Sequence, residues 1–96
     1  MHKMIVAVVD HSLLETICSA LREENIHFTY WDVKGVDKEV RMSQSGRAYT
    51  RLRIEIIASS DDVGKVKRIL RGLIPAGVPG AGIVAVYDLE EFTDFS

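Results

Sequence analysis

Two stretches of this sequence carry residue types suited to holding an anion. One is the glycine string Gly77-Val-Pro-Gly-Ala-Gly82; the other is a basic run from Lys34 to Arg53, with six Lys or Arg against two acidic residues. Successive backbone N–H groups in a glycine-rich turn form a concavity that accepts phosphate or carboxylate oxygens. The string leads into the β-branched run at Ile83 and not into a helix. That excludes the dinucleotide-binding fingerprint and leaves two readings, a tight turn or a phosphate cradle. The basic run also has two readings in a chain of net charge −2: a solvated loop with ion pairs on the neighbouring strand, or a recruited anion site. Arg51 and Arg53 share a strand face with Glu55, itself either a paired structural carboxylate or a nucleotide or ribose contact.

Other chemistry is sparse. His2, His11 and His27 are too widely separated for metal-ligand spacing, and the lone Cys18 allows no disulfide within the chain. No Ser-His-Asp or paired-carboxylate constellation suggests a catalytic site. Trp31 and Tyr30 suit either stacking on a base or packing at an interface. The near-zero net charge gives no global affinity for a polyanion, so no nucleic-acid partner is expected.

The elements that position these residues follow from periodicity. Residues 3–9 are almost wholly apolar and β-branched, which predicts a strand buried on both faces. Ser12 and Glu15 have the form of a capping box, and Leu14, Ile17, Cys18 and Leu21 make the apolar stripe of a helix to about Glu24. Residues 27–34 are aromatic and β-branched and predict a second strand, ended by Gly35. Neither period holds over 35–49, which reads as a long mobile loop, and such loops are usually functional. Residues 50–58 alternate Leu52, Ile54 and Ile56 against Arg51, Arg53 and Glu55, a third strand. Ser59 or Ser60 is expected to cap a second helix, with Asp61 and Asp62 in its first turn, a stripe of Val63, Val66, Leu70 and Leu73, and an end near Ile74. Lys65, Lys67, Arg68 and Arg71 complement its dipole. After the turn at 75–82, residues 83–87 predict a fourth strand, and a short acidic tail remains.

The order β-α-β-β-α-β predicts an α+β, ferredoxin-like fold, a four-stranded antiparallel sheet with two helices on one face. The other face stays open. Because the first and last strands are apolar on both sides, a monomer would expose a large apolar patch, which predicts sheet-to-sheet oligomerisation.

On this fold three segments resemble the PII signal-transduction proteins of the nitrogen-regulatory family: Asp32-Val-Lys-Gly35, Arg51-Leu-Arg-Ile-Glu-Ile-Ile57, and Gly77-Val-Pro-Gly-Ala-Gly-Ile-Val-Ala-Val-Tyr-Asp-Leu89. The resemblance spans most of the chain. It implies a homotrimer that holds an adenine nucleotide in the clefts between subunits. It also implies a flexible T-loop, here about 36–49, that changes shape with the ligand and controls a target protein such as a transporter or metabolic enzyme. No catalysis and no required cofactor are implied; ADP, AMP, ATP or a small carboxylate are the candidate ligands. By the same resemblance Gly35, Val36, Asp37 and Lys38 form the loop base beside the phosphates. Gly80, Ala81 and Gly82 belong to the phosphate-facing B-loop, about 76–82, and Thr29, Glu55 and Ile57 form the adenine end. Two departures place the chain with divergent PII-like proteins: Ile83 stands where the family has a lysine, and Asp88, Glu90, Glu91 and Asp94 occupy a C-terminal segment that is basic in the family.

At 96 residues the chain is expected to be a single domain, and its apolar run near the start is too short for a signal-peptide core or a membrane span, so a cytoplasmic protein is expected. Two other families share the topology. A trimeric metal-tolerance protein of the CutA kind is the alternative, set against the absence of clustered Cys or His. Acylphosphatase requires a Gly-x-Val-Gln-Gly-Val segment that nothing after Val9 supplies.

Overall fold

Alternation sets the architecture. A computed structural model describes residues 1–35, 49–78 and 81–96. In β1 (His2–Asp10) and β3 (Tyr49–Ser59), every second residue turns inward. Ile5, Ala7 and Val9 from the first, and Leu52, Ile54 and Ile56 from the second, are essentially sealed from solvent. The strands are antiparallel, with Ile5 opposite Ile56 and Ala7 opposite Ile54, so the two apolar rows form one continuous strip. β2 (Thr29–Gly35) adds to the outer side of β3 and β4 (Gly82–Asp88) to the outer side of β1, giving the order β2-β3-β1-β4. All pairings are antiparallel, the ferredoxin-like arrangement expected from the sequence.

Two amphipathic helices cover the inward strip. α1 (Leu14–Glu23) buries Ile17, Cys18 and Leu21, and α2 (Val63–Leu73) buries Val66 and Leu70. Leu14, Val63 and Leu73 pack at its margin. Full burial of each such side chain contributes about 1.5–3 kcal/mol, and these residues form one core. Burial pushes the Cys18 thiol pKa up, as suits an inert core thiol. Among the described residues no helix is long and apolar enough to cross a membrane.

The helix starts differ from expectation. The Ser12–Glu15 capping box does not form. Asp10, extended at φ −59° and ψ 136°, accepts the Ser12 backbone N–H at 2.9 Å and opens a 3₁₀ turn, His11–Leu13, that leads into α1. The Asp10 carboxylate thus takes the N–H that a capping box would give to the Glu15 carboxylate. Neither Ser59 nor Ser60 caps α2. The Ser59 hydroxyl donates to the Asp62 carboxylate at 3.2 Å, while the Ser60 hydroxyl and N–H both donate to the Met1 carbonyl. Asp61 and Asp62 thus lie in the turn before the helix and not in its first turn. α1 ends with Asn25 in the left-handed region, φ 56°, its N–H on the Arg22 carbonyl and that of Ile26 on the Leu21 carbonyl. This is the paired closure that satisfies terminal carbonyls, with Asn in the position glycine usually takes.

Burial on both faces is not met for β4 within one chain. Ile83, Val84, Val86 and Tyr87 are all exposed, because β4 is an edge strand beyond the cover of either helix.

Candidate functional site

Strand register decides which candidate residues meet. The face away from the helices carries Thr29, Trp31 and Val33 of β2, Arg51, Arg53, Glu55 and Ile57 of β3, Met4, Val6 and Val8 of β1, and Ile83, Ala85 and Tyr87 of β4. At its centre the Arg53 Nε and Nη2 both donate to Glu55 Oε2, at 3.1 and 3.0 Å, and the guanidinium lies 5.8 Å from the Trp31 ring centre. Arg53 and Glu55 are therefore a half-buried structural pair braced by an aromatic ring. Of the two sequence readings for Arg53, the ion pair is the one formed.

One end of this face gathers the residues proposed for the phosphate side. Gly35 closes β2, and a Cβ there would meet the Arg51 Cγ at 3.1 Å, so the arginine stem lies directly over the glycine. Arg51 sits in register between Val33 and Asp10. The Ser12 backbone N–H, followed by its hydroxyl, holds the Asp10 carboxyl below the usual carboxylate range; burial partly opposes this, and Arg51 and His11 add smaller attractions. His11 Nε2 pairs with Asp32 Oδ1 at 2.9 Å beside it. Across the sheet the Ala81 carbonyl accepts the Asp10 N–H at 3.0 Å, tying the glycine string to the end of β1. Gly82 follows at the point of closest approach. A Cβ would fall 2.7 Å from Val9 Cγ1 and 3.0 Å from the Val8 carbonyl, contacts no side chain there can make. Val36, Asp37, Lys38 and Gly80 lie outside the described residues, as do most of the T-loop and part of the B-loop.

The other end gathers the remaining candidates. Thr29 is opposite Glu55, and Ile57 is opposite Met4. These four, with His27 and Phe28, line a hollow of about 230 Å³. Sequence reading missed Met4, His27 and Phe28. The period-two alternation of the first strand was the available signal for Met4; nothing local marked the other two. From Arg51 to Ile57 the two ends are six residues of extended chain apart, roughly 20 Å.

No family model matches the sequence, and no curated protein matches it. Among solved structures, PII from Arabidopsis thaliana bound to citrate superposes with a TM-score of 0.75 at 21% identity, covering 92% of this chain and 77% of that one. The fold is that of PII. On this PII-like fold, the described parts of the two anion-suited stretches reach the same end of the sheet, with Gly35 and Arg51 on the β2–β3 side and Ala81 and Gly82 at β4. Among the described residues the arrangement offers the Arg51 cation beside a glycine-rich turn at one end, where the Ala81 N–H donates to the Val78 carbonyl at 3.1 Å, and an apolar hollow edged by a carboxylate and a hydroxyl at the other.

Proposed function

We propose that this chain is a PII-like regulatory protein. In this reading it binds an adenine nucleotide or a related small anionic effector at the clefts of a homotrimer, and it controls a partner protein through the T-loop. The observation that carries the reading is the placement of Thr29, Glu55 and Ile57 in one hollow, roughly 20 Å along β3 from Gly35 and Arg51. One chain cannot bring both groups to one small ligand. A neighbouring copy can, by setting the hollow of one subunit against the glycine-rich end of the next. The apolar residues left exposed on the open face, with Ile83 at 67% and Tyr87 at 49%, supply the surface that such an assembly covers.

The phosphate end is lightly charged. Ile83 replaces a cation and the tail is acidic, so ADP, AMP or a small carboxylate such as the citrate of the Arabidopsis protein suits it better than a triphosphate. The test combines solution mass with calorimetric titration of ATP, ADP, AMP and citrate side by side. A trimer with one saturable site per chain for at least one of them is expected. A monomer that gives no heat with any of the four overturns the reading.

A further inference from the structure

On the helix side of the sheet, away from the open face, a groove of about 480 Å³ runs between α2 and the edge strand β4. Val84, Val86 and Ile74 form its apolar floor, Gly82 closes one end, and Lys67 and Arg71 stand along its rim. The two cations are four residues apart on α2 and so lie on one helix face. The chain also carries an element of complementary chemistry, the segment after β4, Leu89-Glu-Glu-Phe-Thr-Asp-Phe-Ser96, with three acidic residues and two aromatic ones. It forms no helix or strand, and Phe95 is 95% exposed.

The path of this segment takes it away from its own groove. The Leu89 N–H donates to the His2 carbonyl at 3.1 Å, and the Phe92 ring stacks on His2 at 4.2 Å. Asp94 then joins His27, just ahead of β2, in lining one hollow. The segment therefore leaves β4, passes under the start of β1 and ends at the β2 side. In the order β2-β3-β1-β4 that is the sheet edge opposite the groove, three strand spacings or roughly 14 Å across.

We propose that residues 89–96 of one copy dock in the α2/β4 groove of a neighbouring copy, Phe95 on the Val84–Val86 floor and the acidic residues facing Lys67 and Arg71. Donor and acceptor lie on opposite edges of one chain, so the contact is head-to-tail and propagates from copy to copy around a ring. It requires no nucleotide and leaves the open face untouched. Its failure would therefore leave the effector-binding reading standing, and the converse also holds.

The experiment uses the full chain with Val84→Cys and Phe95→Cys together, purified reduced, shown to unfold as the parent does, and then oxidised. A disulfide needs Cα atoms about 5.5 Å apart, which the tail does not offer to its own Val84 along the path described; a chain that closed on itself would run as a faster monomer band, distinct from the ladder. Expected on a non-reducing gel is a ladder of covalent oligomers, where each single variant gives at most a dimer. Adding Lys67→Glu and Arg71→Glu should cut the ladder about tenfold, the effect of two reversed surface ion pairs. A double-cysteine chain that stays monomeric overturns the proposal, as does a ladder indifferent to charge reversal. An independent reading titrates a labelled peptide of residues 88–96 into the Phe95→Ser chain. Saturable binding that weakens about tenfold with the same charge reversal is expected, and no binding overturns the proposal.

Discussion

On the helix side of β1 and β3, Ile5, Val9, Leu52 and Ile54 are wholly enclosed by residues of their own chain. One position along each strand, Val8, Arg53, Glu55 and Ile57 face the other way, away from both helices. The covered face needs nothing further. The open face keeps the Arg53–Glu55 pair and the Trp31 ring together in the plane of the sheet and leaves Ile57, Ile83 and Tyr87 exposed. The same strands thus give a core on one side and an uncovered face of mixed polarity on the other. The difference lies in which side the two helices cross.

The sharpest way to break that comparison is one substitution on each face. Ile54→Ala removes a fully enclosed side chain beneath both helices and should cost about 2–5 kcal/mol, read as a lowered denaturant midpoint at every protein concentration. Tyr87→Lys alters a half-exposed residue of the open face and should change the stability of the single chain by no more than about 0.5 kcal/mol. Its effect belongs to assembly. The parent should melt at a higher temperature as its concentration rises, and Tyr87→Lys should abolish that dependence. Equal, concentration-independent losses from both variants would show that the open face is not an interface.

Gly82 tests the seam between the glycine string and the sheet. Gly82→Val places carbon within 2.7 Å of Val9 Cγ1 and 3.0 Å of a backbone carbonyl that cannot retreat without breaking the β1–β4 ladder. A loss of about 1–3 kcal/mol is expected, with effector affinity falling further if the string holds the phosphates. Gly72→Ala is the comparison. It meets nothing within 4 Å and should be neutral or slightly stabilising in a helix. A Gly82→Val chain as stable as the parent would mean that the string is free to move away from β1.

What could be read from the sequence was whatever repeats. The alternation in β3 gave its two faces correctly, and the 3.6-residue stripes named Ile17, Leu21, Val66 and Leu70 as core. Helix starts were harder, because several acceptors compete for the same N–H groups within a few residues. Asp10 displaced Ser12, and the two serines before α2 turned to Asp62 and Met1 instead. Asn25 closed a helix without the glycine that usually signals it. The site is legible only in pieces. Thr29 and Glu55 meet through the β2–β3 register, and His27 and Met4 join them from separate segments, a juxtaposition that no local pattern encodes. Lys67 and Arg71 looked like ordinary dipole complements of α2 until β4 was seen to run beside them.

The smallest effect lies at the rim where the two faces meet. Asp10 accepts the Ser12 N–H that begins the helical side and stands in register with Arg51 on the open side. Its carboxyl is held below its ordinary value of 3.8, principally by the Ser12 backbone N–H. The folded chain therefore binds this proton less readily than the unfolded chain. The resulting stability is fully present above the unfolded value and is lost as pH falls through the lower, folded one. Asp10→Ala removes cap and charge together and should cost about 1 kcal/mol at neutral pH. Asp10→Asn keeps an acceptor of similar capping strength and removes only the charge, so its cost should be a few tenths of a kcal/mol, within the range of a screened surface charge. Denaturant titrations of the parent and Asp10→Asn chains should show this gap undiminished above the unfolded value and closing as pH falls through the lower, folded one. A gap that widened on acidification would reverse the sign of the linkage and place the dominant influence on Asp10 in burial, not in the Ser12 hydrogen bond.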